Sequence, residues 1–229
     1  MELRAVLFDV DFTLARPGPE LGPEGYARLG RRFGLELDPA RYEDARQGAI
    51  RELRMHPALD HDDEVWVTFT AAIVRGMGGE SDDIEACARE MTAAWSHAHN
   101  FELYDDVLPK LQELRRQGLR LGLVSNTGRD LPRFVEHHGL DVDAVLASGA
   151  YGKTKPHPTI FRAVLERLDV EPARAAMVGD SIEDDVEGAR ALGMTAFLLD
   201  RDDRHPGFSP RLPTLLALPA ALGLPPAAP

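Results

Sequence analysis

Four short apolar runs, each followed at once by small or acidic polar residues, most constrain what this chain can fold into. They occupy residues 3–8, 119–124, 175–178 and 195–199. Runs of this kind are typical of strands buried on both faces of a parallel sheet. Between the later runs, apolar residues recur at helical spacing, in sets that begin at Val107, Ile160 and Ile182. Such strand–helix alternation predicts an α/β protein with helices on both faces of the sheet.

The segment between the first two runs has a different pattern. It lacks a convincing strand and contains several helix starts, such as Asp38 before Pro39 and Ser81 before two acidic residues. We therefore expect about four helices inserted after the first strand. The predicted division is a core formed by residues 1–15 and 101–229 and an all-helical insert formed by residues 16–100.

Composition excludes several classes of function. The chain has 229 residues, with 26 basic and 38 acidic side chains and a net charge of −12, which disfavours nucleic-acid binding. One cysteine, Cys87, allows no intrachain disulfide and no cysteine-built zinc site. The first residues lack the pattern of a signal peptide, and the Pro-rich tail is a poor membrane span, so we expect a soluble, cytoplasmic protein without a membrane partner. The tail is expected to fray beyond Leu224.

Two carboxylates follow the first predicted strand. Asp9 and Asp11 are two residues apart, so on an extended chain their side chains face the same pocket. Two anions held that close repel each other, and one pKa rises unless a cation lies between them. The pair therefore indicates either a hard metal ion such as Mg²⁺ or one ionised carboxylate working beside one acid.

Three further polar clusters lie outside the first strand. Two of them directly follow a predicted strand, and one lies between two predicted strands. Ser125 and Asn126 form a turn able to hold a phosphate, although such turns are common. Two of the chain's three lysines, Lys153 and Lys155, lie in one short segment stiffened by proline. The last cluster begins at Asp180 and continues with Glu183, Asp184 and Asp185. These acids either complement a helix dipole or complete a metal site with Asp9.

Taken in order, these motifs resemble the haloacid dehalogenase superfamily of hydrolases and phosphotransferases. The motifs are Asp-x-Asp-x-Thr, a hydroxyl after a strand, a lysine before proline, and Gly-Asp followed by a further acid. The resemblance implies a Rossmann-like core, and the helical insert is similar to the cap of the superfamily's first subclass. Phe12 stands where many members have glycine, and Asp184 where many have asparagine. Either Asp184 or Asp185 could support a metal, and the resemblance favours Asp185, because its spacing matches that of capped relatives.

The resemblance also implies a role for each residue. Asp9 would attack phosphorus and form an aspartyl-phosphate, while Asp11 would act as general acid and then general base. Mg²⁺ would be held by Asp9, Asp11 through its backbone carbonyl, and Asp180, with Asp185 in support. Ser125, Asn126 and Lys155 would bind the phosphoryl group. Arg16, just after the first motif, either faces the site or is simply solvated.

The function implied is that of a Mg²⁺-dependent phosphatase of small phosphorylated metabolites, with substrate and oligomeric state left open. Alternatives within the superfamily are a 2-haloacid dehalogenase and a sugar phosphomutase. Dehalogenation needs no second acid two residues after the nucleophile, so Asp11 favours phosphate chemistry. An alternative of another class is a phospho-acceptor signalling module, which is typically much shorter and lacks a helical insert.

Overall fold

A parallel sheet forms the centre of the computed structural model, which describes residues 2–53 and 56–225. Its strands are β1 (Ala5–Phe8), β4 (Arg120–Ser125), β5 (Ala144–Ala147), β6 (Ala175–Gly179), β7 (Thr195–Leu199) and β8 (Arg211–Leu212). The six strands are ordered β5-β4-β1-β6-β7-β8, and neighbouring strands run parallel. β1 is therefore central, with β4 on one side and β6 on the other.

Alternate residues of β1 pack against opposite layers of helices. Val6 and Phe8 lie in the apolar cluster that includes residues of α5 (Val107–Arg116) and α6 (Leu131–His138). Ala5 and Leu7 lie in a second cluster with residues of α8 (Pro158–Leu168). Both faces of the sheet are thus covered, which is why its strands are apolar throughout rather than alternating.

The insert between the first two strands of the sheet is helical. It contains α1 (Pro23–Arg32), α2 (Tyr42–Glu52), α3 (Asp63–Gly76) and α4 (Ile84–Ala94). Asp62 caps α3 by accepting a hydrogen bond from the Glu64 amide at 3.0 Å. Helices α2 and α3 approach so closely that a Cβ added at Gly76 would lie 2.5 Å from Cβ of Ala45. Tight helix–helix packing therefore requires glycine at this position.

A two-stranded antiparallel ribbon joins the insert to the core. It pairs β2 (Ala15–Pro17), which enters the insert, with β3 (Phe101–Leu103), which leaves it. The insert also contacts the core directly, because the main-chain oxygen of Leu59 accepts a hydrogen bond from the Thr154 amide at 2.8 Å. Beside it, Nδ1 of His61 lies 2.8 Å from the Ser148 hydroxyl. The insert therefore meets the core at two separated places.

The four predicted sheet strands are confirmed as β1, β4, β6 and β7, and the predicted α/β class is confirmed. The helical patterns that begin at Val107 and Ile160 are confirmed as α5 and α8. The pattern from Ile182 instead forms a π-helical turn, Ile182–Glu187, followed by α9 (Gly188–Arg190). The prediction that residues 16–100 contain no strand is wrong at Arg16 and Pro17, which belong to β2, because a strand of three residues is too short to show alternation.

Among the described residues, no helix is both long enough and apolar enough to cross a membrane. Two further short helices are α7 (Ser148–Tyr151), which lies between β5 and α8, and α10 (Leu218–Ala221), which lies near the C-terminus. The predicted fraying beyond Leu224 falls mostly on residues 226–229, which lie outside the described residues.

Candidate active site

The carboxyl ends of β4, β1 and β6 lie side by side and open into a cavity of about 300 Å³. Asp9 follows β1, Ser125 ends β4 and Asp180 follows β6, so the strand order alone brings these side chains to one edge. Each of the site residues predicted from the sequence lines this cavity: Asp9, Asp11, Ser125, Asn126, Lys155, Asp180 and Asp185.

Lys155 links two of the acids at the floor of the cavity. Its Nζ lies 2.6 Å from Oδ1 of Asp9 and 2.6 Å from Oδ1 of Asp185, and only 3% of its surface is exposed. Burial alone would lower the pKa of Lys155, but the carboxylates of Asp185 and Asp9 outweigh burial and raise it above the ordinary value. Lys155 is therefore a fixed positive charge at any physiological pH.

Three carboxylates form the acidic cluster: Asp9, Asp180 and Asp185. One carboxylate oxygen from each residue lies within 4.8 Å of an oxygen of each of the other two. Burial raises the pKa of Asp9 well above its ordinary value against the opposing effect of Lys155, and the neighbouring carboxylates raise it further. Burial and the charge of Asp185 also raise the pKa of Asp180. Two cations among the described residues contact these three carboxylates: Lys155, and Arg204, whose guanidinium lies 3.3 Å from Oδ2 of Asp180. With all three carboxylates ionised, the acidic cluster therefore keeps one negative charge in excess.

That excess charge, on oxygen ligands alone, fits a hard divalent cation such as Mg²⁺. Asp185 reaches the acidic cluster because Gly179 has no side chain, since a Cβ there would lie 2.1 Å from Oδ2 of Asp185. The π-helical turn also lets Oδ2 of Asp185 accept a hydrogen bond from the Ser181 amide at 3.0 Å. Asp184 points elsewhere, toward Asn126, and burial raises its pKa to about 6. The geometry therefore favours Asp185 over Asp184, as the spacing predicted.

Asn126 holds the lysine segment in place. Its Oδ1 accepts a hydrogen bond from the Lys155 amide at 2.7 Å, and its Nδ2 donates to the Lys155 carbonyl at 3.0 Å. Nδ2 also donates to Oδ2 of Asp184 at 3.3 Å. Both ends of the side-chain amide are thus engaged, and a phosphate contact by Asn126 stays a prediction.

Sequence reasoning missed Arg129, which pairs with Asp11. The two guanidinium nitrogens donate to the two Asp11 carboxylate oxygens at 2.9 and 3.2 Å, and Nε donates to the Trp95 carbonyl at 3.0 Å. The guanidinium also stacks 3.7 Å from the centre of the Phe101 ring. Arg129 is 2% exposed, so a buried cation fixes the direction of the Asp11 carboxylate. The single sequence signal was an arginine in the turn after β4.

Arg16 does not line the cavity. It lies on the exposed ribbon, where it pairs with Glu102 at 3.2 Å, so of the two alternatives for Arg16 the structure favours the solvated one. Phe12 does line the cavity, and its φ of 62° is left-handed, a conformation that favours glycine. Phe12 therefore stands at a position whose backbone a glycine would adopt without strain.

The opposite wall of the cavity comes from the insert, and we call it the insert wall. It consists mainly of aromatic and branched apolar side chains, among them Tyr26, Tyr42, Trp66, Phe69, Ile73 and Trp95. Tyr26 and Tyr42 meet edge to face, with ring centres 5.2 Å apart, as do Trp66 and Phe69 at 6.2 Å. The cavity therefore has a charged core side and a largely apolar insert side.

The chain is similar to known proteins over most of its length. Residues 3–193 match the family model described as haloacid dehalogenase-like hydrolase. The chain is 34% identical over 212 residues to human haloacid dehalogenase-like hydrolase domain-containing protein 3, covering 87% of this chain and 82% of that protein. It is 30% identical to a phosphoserine phosphatase of Thermus thermophilus, covering 92% and 94%. A solved HAD phosphatase from Thermococcus onnurineus superposes with a TM-score of 0.65 at 30% identity, covering 96% and 98%.

Proposed function

This chain belongs to the haloacid dehalogenase-like hydrolases, and from that premise we propose that it is a Mg²⁺-dependent phosphatase of small phosphate monoesters that works through an aspartyl-phosphate. One observation carries the proposal. Buried Lys155 joins Asp9 to Asp185 while Asp11, on the same cavity, is held by Arg129. Asp9 therefore has a fixed cation beside it, and Asp11 is held in a defined direction on the same cavity, which places a nucleophile and an acid–base group together.

The proposed first step uses Asp9 and Asp11. A carboxylate oxygen of Asp9 forms a bond to phosphorus as the bond between phosphorus and the leaving-group oxygen breaks. Asp11 gives its proton to that departing oxygen, and the products are an aspartyl-phosphate and a free alcohol. In the second step Asp11 takes a proton from water, whose oxygen attacks phosphorus and releases Asp9 and inorganic phosphate.

Mg²⁺ would be held by Asp9, Asp180 and the backbone carbonyl of Asp11, with Asp185 in support; its contribution when bound is to offset the negative charge of the phosphoryl group. The chain's own cation, Lys155, stabilises the phosphoryl oxygens and keeps Asp9 oriented. Ser125, buried at the end of β4 and lining the cavity, supplies a hydroxyl for the same group.

We also propose that residues 16–100 act as a cap over a core formed by residues 1–15 and 101–229. Three facts support this division. The insert is helical, the ribbon is its covalent connection to the core, and the insert wall closes one side of the cavity. Such a cap excludes water from the reacting groups and supplies the contacts to the leaving group.

Paired variants test the proposed function. Asp9→Asn removes the nucleophilic charge and keeps the size of the side chain, whereas Asp184→Asn makes the same change outside the acidic cluster. Phosphate release from p-nitrophenyl phosphate with Mg²⁺ should fall by about a thousandfold or more in the first variant and little in the second. EDTA should stop the wild-type enzyme and Mg²⁺ should restore it.

Two results would contradict the proposal. Wild-type-like turnover by Asp9→Asn would remove the nucleophile assignment. Halide release from a 2-haloacid, without phosphate release from any monoester, would establish the dehalogenase alternative. Conversion of a sugar phosphate to its isomer would instead identify a phosphomutase.

A further inference from the structure

The insert wall identifies the kind of leaving group that the cavity accepts. We propose that the enzyme prefers phosphate monoesters of apolar alcohols, with aromatic or branched alkyl groups, over esters of polyols, sugars or amino acids. This inference rests on the proposed phosphatase function and adds the substrate class to it. It is carried by the chemistry of the side chains that face the cavity opposite the acidic cluster.

The first argument is the composition of the wall near the reacting groups. Phe12 follows Asp11 directly and lines the cavity, although its backbone has the left-handed conformation that favours glycine. Trp95 lines the same cavity, and its carbonyl accepts the hydrogen bond from Nε of Arg129. A leaving group therefore meets aromatic side chains as soon as it extends from the phosphate.

The second argument is that three polar side chains of the insert wall, Arg46, Thr70 and Thr92, already have partners. Arg46 donates to both Glu43 oxygens, at 3.0 and 2.8 Å. The Thr92 hydroxyl donates to that of Thr70 at 3.2 Å. A polyol buried there would lose hydrogen bonds to water and find these groups engaged, which disfavours binding.

The third argument concerns charge. A phosphorylated amino acid or a bisphosphate carries further charged groups, which need a charged partner in the cavity. The two arginines among the described lining residues are each paired with carboxylates, Arg46 with Glu43 and Arg129 with Asp11. An apolar alcohol needs no such partner, and burying it releases water from the aromatic wall.

A series of primary alkyl phosphates tests this preference, because their leaving groups differ in apolar surface far more than in bond type. The series runs from n-butyl to n-hexyl phosphate and includes 2-phenylethyl phosphate, glycerol 3-phosphate and phosphoserine. We expect kcat/KM to rise about threefold to fourfold for each added methylene until the cavity is filled. We expect 2-phenylethyl phosphate to exceed glycerol 3-phosphate and phosphoserine by at least about tenfold.

Variants assign the preference to the wall. Trp66→Ala should lower the ratio of kcat/KM for 2-phenylethyl phosphate to that for glycerol 3-phosphate. Ile50→Gln should do the same without risk to folding, because Ile50 lines the cavity and is 42% exposed. The matched control is Leu216→Ala, an exposed apolar residue outside the cavity lining, which should keep the wild-type ratio.

The outcomes separate this inference from the proposed function. A flat series, or a preference for glycerol 3-phosphate or phosphoserine, overturns the apolar preference while the measured phosphate release upholds the phosphatase. An unchanged ratio in both wall variants also overturns it. Absence of phosphate release from the whole series and from p-nitrophenyl phosphate overturns the proposed function and, with it, this inference.

Discussion

The core side of the cavity concentrates ionisable groups within hydrogen-bonding distance of one another, whereas the insert wall is built largely from rings and branched side chains. A buried charge needs a partner, so changing one member of the core side leaves the others uncompensated. An apolar side chain needs only contact, and its replacement costs an amount that depends on how well the site closes around it. We therefore expect most substitutions of the charged residues on the core side to be harmful. Substitutions of the apolar residues in the insert wall should be tolerated more often.

Lys155→Met is expected to have the largest effect on the core side. It leaves Asp9 and Asp185 without their shared buried cation, so turnover should be lost. Without Mg²⁺, the free energy of unfolding should fall by about 3–5 kcal/mol. Chemical denaturation in EDTA measures this change, and added Mg²⁺ should restore part of it, because a cation fits the same carboxylates.

Lys153→Met is the matched control for that experiment. Lys153 lies two residues earlier, pairs with exposed Asp60 at 2.5 Å and has a partly exposed side chain. Its loss should leave the melting temperature close to that of the wild type, because solvent screens such a pair. Equal destabilisation by the two variants would show that burial of Lys155 has no special energetic role.

Arg129→Met tests the other ionic contact of the core side. The variant keeps apolar contact with Phe101 but frees Asp11, so we expect kcat for alkyl phosphates to fall by about tenfold to a hundredfold. The loss should be smaller for p-nitrophenyl phosphate, whose leaving group needs less protonation. Steady-state kinetics on both substrates measures the difference.

The control here is Arg16→Met, since Arg16 forms an exposed pair with Glu102 and does not line the cavity. It should retain wild-type kinetics on both substrates. If Arg129→Met lowered kcat equally for aryl and alkyl esters, Arg129 would be a structural residue rather than one that positions the acid.

His138 gives the smallest expected effect, at the junction of insert and core away from the acidic cluster. Burial lowers its pKa, against the hydrogen bond between its Nε2 and the Ala98 carbonyl, and neighbouring His137 and Arg129 lower it further. The folded protein therefore binds this proton more weakly than the unfolded chain. Burial of the neutral His138 ring therefore makes its full contribution to the free energy of unfolding above the pKa of histidine in the unfolded chain, about 6.5. That contribution decreases as the pH falls below this value.

His138→Gln keeps a hydrogen-bond donor that does not titrate. The melting temperature of the wild type should therefore fall more than that of the variant between pH 7.5 and pH 5. His137→Gln, at the exposed neighbouring position, is the control and should follow the wild type. Parallel pH profiles for wild type and His138→Gln would show that burial of this ring has no effect on stability.

The sequence was sufficient for the sheet and for much of the charged side of the cavity. The apolar runs predicted β1, β4, β6 and β7, and the polar residues at the carboxyl ends of β1, β4 and β6 are ones that meet in the cavity. This inference works because side-chain type and position after a strand are local properties, and parallel strands bring their carboxyl ends to one edge. Lys155 stood out for a similar reason, as one of few lysines in a segment before proline.

Tertiary structure alone decided which residues are partners across long separations. Nothing local connects Arg129 to Asp11, which lies 118 residues away, or marks Trp95 as the residue whose carbonyl holds that guanidinium. The ribbon was too short for any periodic pattern. The insert wall could not be predicted from the sequence either. Helical periodicity shows that one face of a helix is apolar, but it does not show which part of the molecule that face packs against. Only the packing of the insert against the core turned those faces into one side of a cavity.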